Sequence, residues 1–199
     1  MNSLGFNKKE NDTKVIVAMS GGVDSSVAAV KLKKEGYDVT GVTLRLYNQP
    51  NSTKSKSCCA GIDINDAKKV ADQYDFPHKV FDYQDKFFNG VINNFVDSYA
   101  NGETPVPCIQ CNQTVKFSDL LEESKKLNAD ALVTGHYAIR KGGLNKSKLF
   151  KAKDKTKDQS YFLFATLQDQ LDYVRFPLGD YLKSEIRQMA DDYNLLVSD

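Results

Sequence analysis

Three observations predict an α/β fold with a parallel sheet and helices on both of its faces. Short apolar, β-branched runs alternate with amphipathic stretches over residues 14–140, the order that produces parallel strands joined by helices. A turn of glycines and serines follows the first apolar run, and parallel sheets bind ligands where their strands end. The 199-residue chain is 41% hydrophobic and 27% charged, as is usual for globular domains.

Four strands and four helices are predicted before residue 140. The strands are VIVAMS (15–20), YDVTGVTLRLY (37–47), HKVFDY (78–83) and ALVTG (131–135). The helices are VAAVKLKKEG closed by Gly36, residues 63–75 with Asp63 as N-cap, residues 84–100 with one apolar face (Phe87, Val91, Phe95, Tyr99), and residues 114–127. Residues 48–61 and 101–113 are predicted as loops.

Beyond residue 140 the alternation weakens. A basic hairpin, the segment KDQSYFLFATL and a helix near 181–194 are predicted there, and LLVSD at the end resembles the start of another strand. The predicted organisation is a flexible N-terminus (1–13), a nucleotide-binding domain (14–140) and a hairpin and helical extension (141–199).

Charge and hydropathy exclude some classes of protein. No apolar run approaches the ~18 residues of a membrane span, and the N-terminus lacks the apolar core of a signal peptide, so a cytoplasmic protein is expected. The net charge of +1 is uninformative, but residues 140–157 carry eight basic side chains and one acid, Asp154. Such a stripe suits nucleic-acid phosphates, although a solvated hairpin has the same composition.

Four cysteines occur as the pair Cys58-Cys59 and as Cys108-x-x-Cys111. Without a secretory signal, a framework of structural disulfides is not expected. The second pair has a spacing that allows a metal site, a redox disulfide or a reactive nucleophile, and the spacing alone does not choose among them.

The stretch MSGGVDSS (19–26) carries the most information. Two glycines let the backbone turn sharply, and the following helix N-terminus offers amide groups to an anion. Neither G-x-x-x-x-G-K-[ST] nor G-x-G-x-x-G is present here. An ordinary glycine-rich turn is the alternative, but it does not explain an acid and three serines at the same strand end.

The pattern S-G-G-x-D-S resembles the pyrophosphate loop (PP-loop) of ATP pyrophosphatases. Five further stretches resemble the tRNA-specific 2-thiouridylase family, in the same order: CCAGIDINDAKKVA, GETPVPCIQCNQTVKF, ALVTGHYA, KDQSYFL and FPLGDYLKSEIR. The resemblance implies a Rossmann-like, adenine nucleotide alpha hydrolase-like fold. It also implies an enzyme that uses ATP and Mg²⁺ to adenylate O2 of the wobble uridine and then replaces that oxygen with sulfur.

The resemblance also implies roles for individual residues. The ATP site would comprise Ala18, Met19, Ser20, Gly21, Gly22, Val23, Asp24 and Ser25, with Leu44 against the adenosine, Gly135 beside the nucleotide and Asp24 near the magnesium. The tRNA contacts would be Val106, Pro107 and Cys108 at the target base, together with His136, Lys157, Asp158 and Gln159. Cys111 would be the nucleophile that closes a disulfide during sulfur transfer, and Cys108 a proton-transfer group; no metal ligands are implied.

The sequence also departs from the family pattern. Cys108 stands where some members have an acid, and Val106 where asparagine is common, which puts the details of proton transfer and base recognition in doubt. The family's second catalytic cysteine, which carries the persulfide and would pair with Cys111, would lie beyond residue 199. We therefore expect the chain alone to bind ATP, and tRNA weakly, without completing thiolation.

The expected partners are tRNAs of the lysine, glutamate and glutamine type and a persulfide donor protein, either a cysteine desulfurase or a relay protein. Two other interpretations remain: a cysteine-ligated metal or Fe–S tRNA thiolase, and a non-catalytic, truncated paralogue that binds nucleotide or RNA.

Overall fold

A computed structural model describes residues 1–46, 61–142 and 146–196. Five parallel strands form one sheet in the order β3-β2-β1-β4-β7, and β5 and β6 form a separate antiparallel hairpin. The strands are β1 (Lys14–Ala18), β2 (Asp38–Arg45), β3 (His78–Asp82), β4 (Ala131–Thr134), β5 (Ala138–Lys141), β6 (Lys148–Lys151) and β7 (Val174–Arg175). The predicted parallel α/β fold and the basic hairpin are both confirmed.

Helices pack against the sheet, and two of them contain a π-helical segment between two α-helical ones. The α-helices are α1 (Val23–Lys34), α2 (Gly61–Gln73), α3 (Gln84–Phe87), α4 (Asn93–Ala100), α5 (Pro107–Cys111), α6 (Leu121–Lys126), α7 (Gln168–Tyr173) and α8 (Lys183–Asp192). A π-helical segment, Phe88–Ile92, joins α3 to α4, and a second, Asn112–Leu120, joins α5 to α6. Short 3₁₀ helices lie at Glu10–Asp12 and Ser160–Leu163.

The apolar runs form strands because they are buried on both faces of the sheet. In β1, Val15, Ile16 and Val17 are fully buried, as expected for a central parallel strand. Ile16 belongs to the core on one face, while Val15 and Val17 belong to the core on the other. A third core lies between α1 and α8.

The strand order creates a crevice at the carboxyl end of β1. From β1 the chain crosses to β2 on one side, and β4 flanks β1 on the other. The connections after β1 and β4 therefore diverge, which is the point where open α/β sheets bind ligands. The predicted phosphate loop follows β1, and Gly135 and His136 follow β4.

Several predicted boundaries were wrong. The helix predicted from residue 114 begins at Pro107, so Cys108 and Cys111 are helical rather than in a loop. Helix α2 begins at Gly61, which places Asp63 in its first turn instead of at the N-cap. Helix α7 and strand β7 were not predicted. Strand β7 is only two residues long, so it has no periodicity that the sequence could show.

The expected apolar face of residues 84–100 is buried only at its start. Phe87 and Val91 are in the core, whereas Phe95 is 36% and Tyr99 68% exposed. The π-helical segment explains the difference, because a wider turn changes the direction in which later side chains point.

Residues 1–13, predicted to be flexible, pack against the second core. Leu4 and Phe6 are buried there, and the Arg175 guanidinium donates a hydrogen bond to the Leu4 carbonyl and lies over the Phe6 ring. Strand β7 likewise comes from the predicted extension but joins the main sheet. The domain limits themselves stay a prediction.

Cys58, Cys59 and most of the predicted loop 48–61 lie outside the described residues, as do the last three residues of LLVSD. Within the described ranges, every helix is too short or too polar to span a bilayer.

Candidate nucleotide and tRNA site

The turn between β1 and α1 is held in shape by its own serines. The Ser20 N–H donates to the Ser25 hydroxyl at 3.1 Å, and that hydroxyl donates to the Gly22 carbonyl at 3.1 Å. The Ser26 hydroxyl donates to the same carbonyl at 3.0 Å. The Ser20 hydroxyl also lies 3.3 Å from that of Ser25, so all three serines have a structural role in the loop as well as the predicted ligand-binding one.

The first turn of α1 presents amide groups at the crevice. Gly22 is the N-cap in an extended conformation, and no side chain caps the helix. The first N–H groups of a helix have no intrahelical acceptor, so those of Val23, Asp24 and Ser25 form an anion-binding end. The side chains of Met19 and Val23 are buried, so these two residues can serve a ligand only through their backbone.

Two glycines allow close backbone approaches around this loop. Gly21 has φ +80°, and a Cβ there would lie 2.3 Å from the Asp63 carbonyl oxygen in the first turn of α2. A Cβ on Gly135 would lie 3.0 Å from the Ser25 nitrogen. Gly135 therefore has a packing reason of its own, and its predicted contact with nucleotide stays a prediction.

Asp24 has two partners that the sequence analysis did not identify. Its Oδ1 atom accepts hydrogen bonds from the Tyr137 hydroxyl at 2.7 Å and from Lys183 Nζ at 2.6 Å. Burial, followed by the bond to Asp24, raises the pKa of Tyr137. Both residues lie in stretches that carried the family resemblance, TGHY and FPLGDYLKSEIR, and that was the available signal.

His136 lies beside the helix that carries the cysteines. Its ring is 6.1 Å from that of Phe117 and 6.2 Å from that of Phe176, and its Nδ1 atom is 2.9 Å from the Thr134 hydroxyl. Burial, with a smaller effect of Lys116, lowers the pKa of His136 to about 3. The imidazole is therefore neutral near pH 7, so it can hydrogen-bond to a base but cannot neutralise a phosphate.

The two cysteines of the second pair have different surroundings. Val106 is the N-cap of α5 and Pro107 its first residue, a position that tolerates proline. Cys108 is exposed, whereas Cys111, one turn later, packs against the first core. The described residues contain no group of three metal-ligating side chains and no disulfide at either cysteine.

The KDQ residues have mainly structural contacts. The Gln159 side-chain oxygen accepts from the Tyr137 N–H at 2.9 Å, and Asp158 accepts from the Ala152 N–H at 2.9 Å and the Ser160 hydroxyl at 2.8 Å. Lys157 is exposed. Their predicted role at tRNA stays a prediction, and Lys157 is the member of the three that faces solvent.

Leu44 lies in the first core with 6% of its surface exposed. Little of its side chain is accessible in this structure, and its predicted contact with adenosine also stays a prediction.

Comparison with known proteins extends this picture. Residues 13–199 match the family described as "tRNA methyl transferase HUP domain". The chain belongs to this family. A protein of Rhodospirillum centenum named tRNA-specific 2-thiouridylase MnmA is 56% identical over all of this chain and 51% of its own length. A protein of the same name from Hyphomonas neptunium is 53% identical to this chain, over all of this chain and 50% of the relative's own length.

The family resemblance read from the sequence is thus confirmed, and the chain spans about half the length of the curated relatives it matches.

Solved structures agree on the fold. A predicted subunit of tRNA methyltransferase from Methanocaldococcus jannaschii has a TM-score of 0.57 at 21% identity, over 90% of this chain and 76% of that one. The NH3-dependent NAD synthetase of Campylobacter jejuni has a TM-score of 0.54 at 17% identity, over 96% and 67%.

Proposed function

We propose that this family member is the nucleotide-binding half of an enzyme that uses ATP to replace O2 of the tRNA wobble uridine with sulfur. The names of relatives more than half identical over the whole chain support the reaction. The observation that carries it here is the meeting of three features at one edge of the sheet. These are the phosphate loop after β1, His136 after β4, and the cysteine helix, meaning α5 with the π-helical segment that continues it, whose Phe117 ring lies 6.1 Å from the His136 ring.

The first half-reaction would be adenylation. The C2 carbonyl of uridine is a poor electrophile, and oxygen is a poor leaving group until it is attached to AMP. The α1 N-terminus and loop amides would hold the phosphates of ATP. Asp24 supplies a carboxylate of the kind that Mg²⁺ accepts beside phosphates, and the cation would neutralise phosphate charge there.

Sulfur transfer would follow. A persulfide on a carrier cysteine outside this chain attacks C2, and the original oxygen leaves with AMP. The Cys111 thiolate then attacks the carrier's inner sulfur, so that a disulfide forms and the outer sulfur remains on C2. The position of Cys111 at the core side of its helix, rather than the exposed position of Cys108, fits a residue that acts on an enclosed base.

Binding of tRNA would use the face that contains the hairpin and the 3₁₀ turn Ser160–Leu163. This turn packs against the cysteine helix, where the Asn112 side chain donates to the Phe162 carbonyl at 3.3 Å. Tyr161 and Phe164 expose their rings there, and bases of single-stranded RNA stack on such rings. Exposed lysines of the basic stretch 140–157, including Lys157, would contact phosphates.

The decisive measurement is tRNA-dependent release of pyrophosphate from ATP by the 199-residue chain. We expect release with a tRNA that has an unmodified wobble uridine, and we expect Asp24→Asn to lose most of it. Asp38→Asn is the matched control, because Asp38 is exposed at the opposite, amino end of β2. A chain that binds ATP but releases no pyrophosphate with any tRNA would contradict the proposal.

A further inference from the structure

Lys183 brings a positive charge to the phosphate loop from a distant part of the chain. Its Nζ atom lies 2.6 Å from Asp24 Oδ1 and 5.9 Å from the centre of the Tyr137 ring. Its side chain is 21% exposed, compared with 34% for Asp24. The ion pair is therefore partly shielded from water but remains open to the crevice.

The position of Lys183 is fixed by the surrounding structure. It is the first residue of α8, and its N–H donates to Asp154 at 2.9 Å. Asp154, the buried acid of the basic stretch 140–157, also accepts from the N–H and hydroxyl of Thr156. On the other side, Ile186 and Ala190 bury α8 against α1. The segment after β6 and helix α8 together hold Lys183 beside the loop.

The loop itself lacks the charge that its predicted ligand requires. Residues 18–25, AMSGGVDS, contain one charged side chain, and it is the acid Asp24. Backbone amides alone would have to offset a polyphosphate as well as this carboxylate. The Lys183–Asp24 ion pair reaches this loop, so α8 supplies a positive charge that the loop sequence lacks.

We propose that Lys183 is a phosphate-binding residue of the adenylation step. Its part in that reaction rests on the proposed function, whereas its binding of phosphate does not. In the free site its ammonium is held on Asp24. With Mg²⁺ and ATP bound, Asp24 would hold the cation, and Lys183 would be released to pair with the β- and γ-phosphate oxygens. A lysine stem is long and flexible enough for this short exchange of partners.

The chemical step would gain from this exchange. Uridine O2 attacks the α-phosphorus, the bond from that phosphorus to the bridging oxygen breaks, and pyrophosphate leaves with the electron pair. The uridine N3 proton is lost to water. Lys183 neither gains nor loses a proton; its charge stabilises the negative charge that develops on the leaving pyrophosphate.

The test compares binding of pyrophosphate in the presence of Mg²⁺ and of adenosine by calorimetry, using the 199-residue chain. We expect Lys183→Met to weaken pyrophosphate binding at least ~10-fold, the order expected for loss of one charge-assisted contact, and to leave adenosine binding within two-fold. Lys153→Met is the matched control, because Lys153 pairs with Glu185 of the same helix at 3.1 Å, through exposed side chains. It should change neither affinity.

A second comparison separates phosphate binding from simple neutralisation of Asp24. With Asp24→Asn as the background, no carboxylate is left unpaired when Lys183 is also replaced, so the double variant should fold. We expect the double variant to bind pyrophosphate at least ~10-fold more weakly than Asp24→Asn alone. Affinities within two-fold of each other, or equal losses for adenosine and pyrophosphate, would overturn the inference. Neither binding measurement requires tRNA, so a failure of tRNA-dependent pyrophosphate release would not change the interpretation of these affinities.

Discussion

The contact between Gly21 and the backbone of Asp63 allows the phosphate loop to be tested quantitatively. A Cβ at position 21 would meet the Asp63 carbonyl oxygen at 2.3 Å and its Cα atom at 2.5 Å, both too close without movement of α2. The replacement Gly21→Ala therefore combines two costs, the left-handed backbone and the steric clash.

Gly102 separates these two costs. It has the same φ of +80°, and no described atom lies within 4 Å of a Cβ built there. A left-handed alanine costs about 1–2 kcal/mol, partly offset by about 0.4–1 kcal/mol from the restricted unfolded chain. Gly102→Ala should therefore lower the free energy of unfolding by about 1 kcal/mol. Overpacking adds about 1–3 kcal/mol, so Gly21→Ala should lose about 2–4 kcal/mol.

Urea unfolding of both variants gives the comparison, with Gly22→Ala as a third. At Gly22 the φ is −81°, and the nearest atom to an added Cβ is the Ser20 hydroxyl at an ordinary 3.7 Å. It should lose less than about 1 kcal/mol but weaken ATP binding, because its methyl group would project beside the anion site. Equal destabilisation of Gly21→Ala and Gly102→Ala would refute the idea that the close approach to α2 shapes this loop.

Three other measurements test the site and its supports. His136 should show no NMR titration above pH 5, because its pKa in the folded chain is about 3. In the unfolded chain the pKa of a histidine is about 6.5. The free energy of unfolding should therefore fall as the pH drops from about 6.5 towards 3. His136→Gln distinguishes its signal from that of His78, and a midpoint above pH 6 for His136 would contradict the buried environment. Gly179→Ala should cost about 3 kcal/mol or more in urea unfolding, because its Cβ would lie 2.0 Å from the Ala138 carbonyl oxygen; a loss below that of Gly102→Ala would be inconsistent with this packing. Cys111→Ser should retain tRNA-dependent pyrophosphate release, since adenylation needs no thiol, and a loss of release would place Cys111 before sulfur transfer.

The parts of this fold that are local in sequence could be predicted from it. Strands β1, β2 and β4 are recognisable because each is a run of residues buried on both faces. The phosphate loop is recognisable because its glycines and serines act within eight residues of one another. The start of α5 was missed because prolines such as Pro105 and Pro107 are typical of loops, although Pro107 occupies the first helical position, where proline is tolerated.

Features made by distant residues could not be predicted. Lys183 and Asp24 are separated by 159 positions, and no local pattern in the sequence indicates that they meet. Asp158 and Gln159 look like surface residues of a basic stretch, but their hydrogen bonds to Ala152, Ser160 and Tyr137 exist only once the hairpin has folded back.

Strand β7 has a consequence for how this protein is made and how it can be divided. The two residues of β7 pair with the edge of β4, and the Arg175 side chain donates a hydrogen bond to the Leu4 carbonyl, near the other end of the chain. During synthesis the sheet stays open on this side until residue 175 has left the ribosome. A fragment ending at residue 140 would keep a bare, apolar strand edge, the kind of surface on which other chains add strands and aggregate. Expression of shorter pieces should therefore extend past β7.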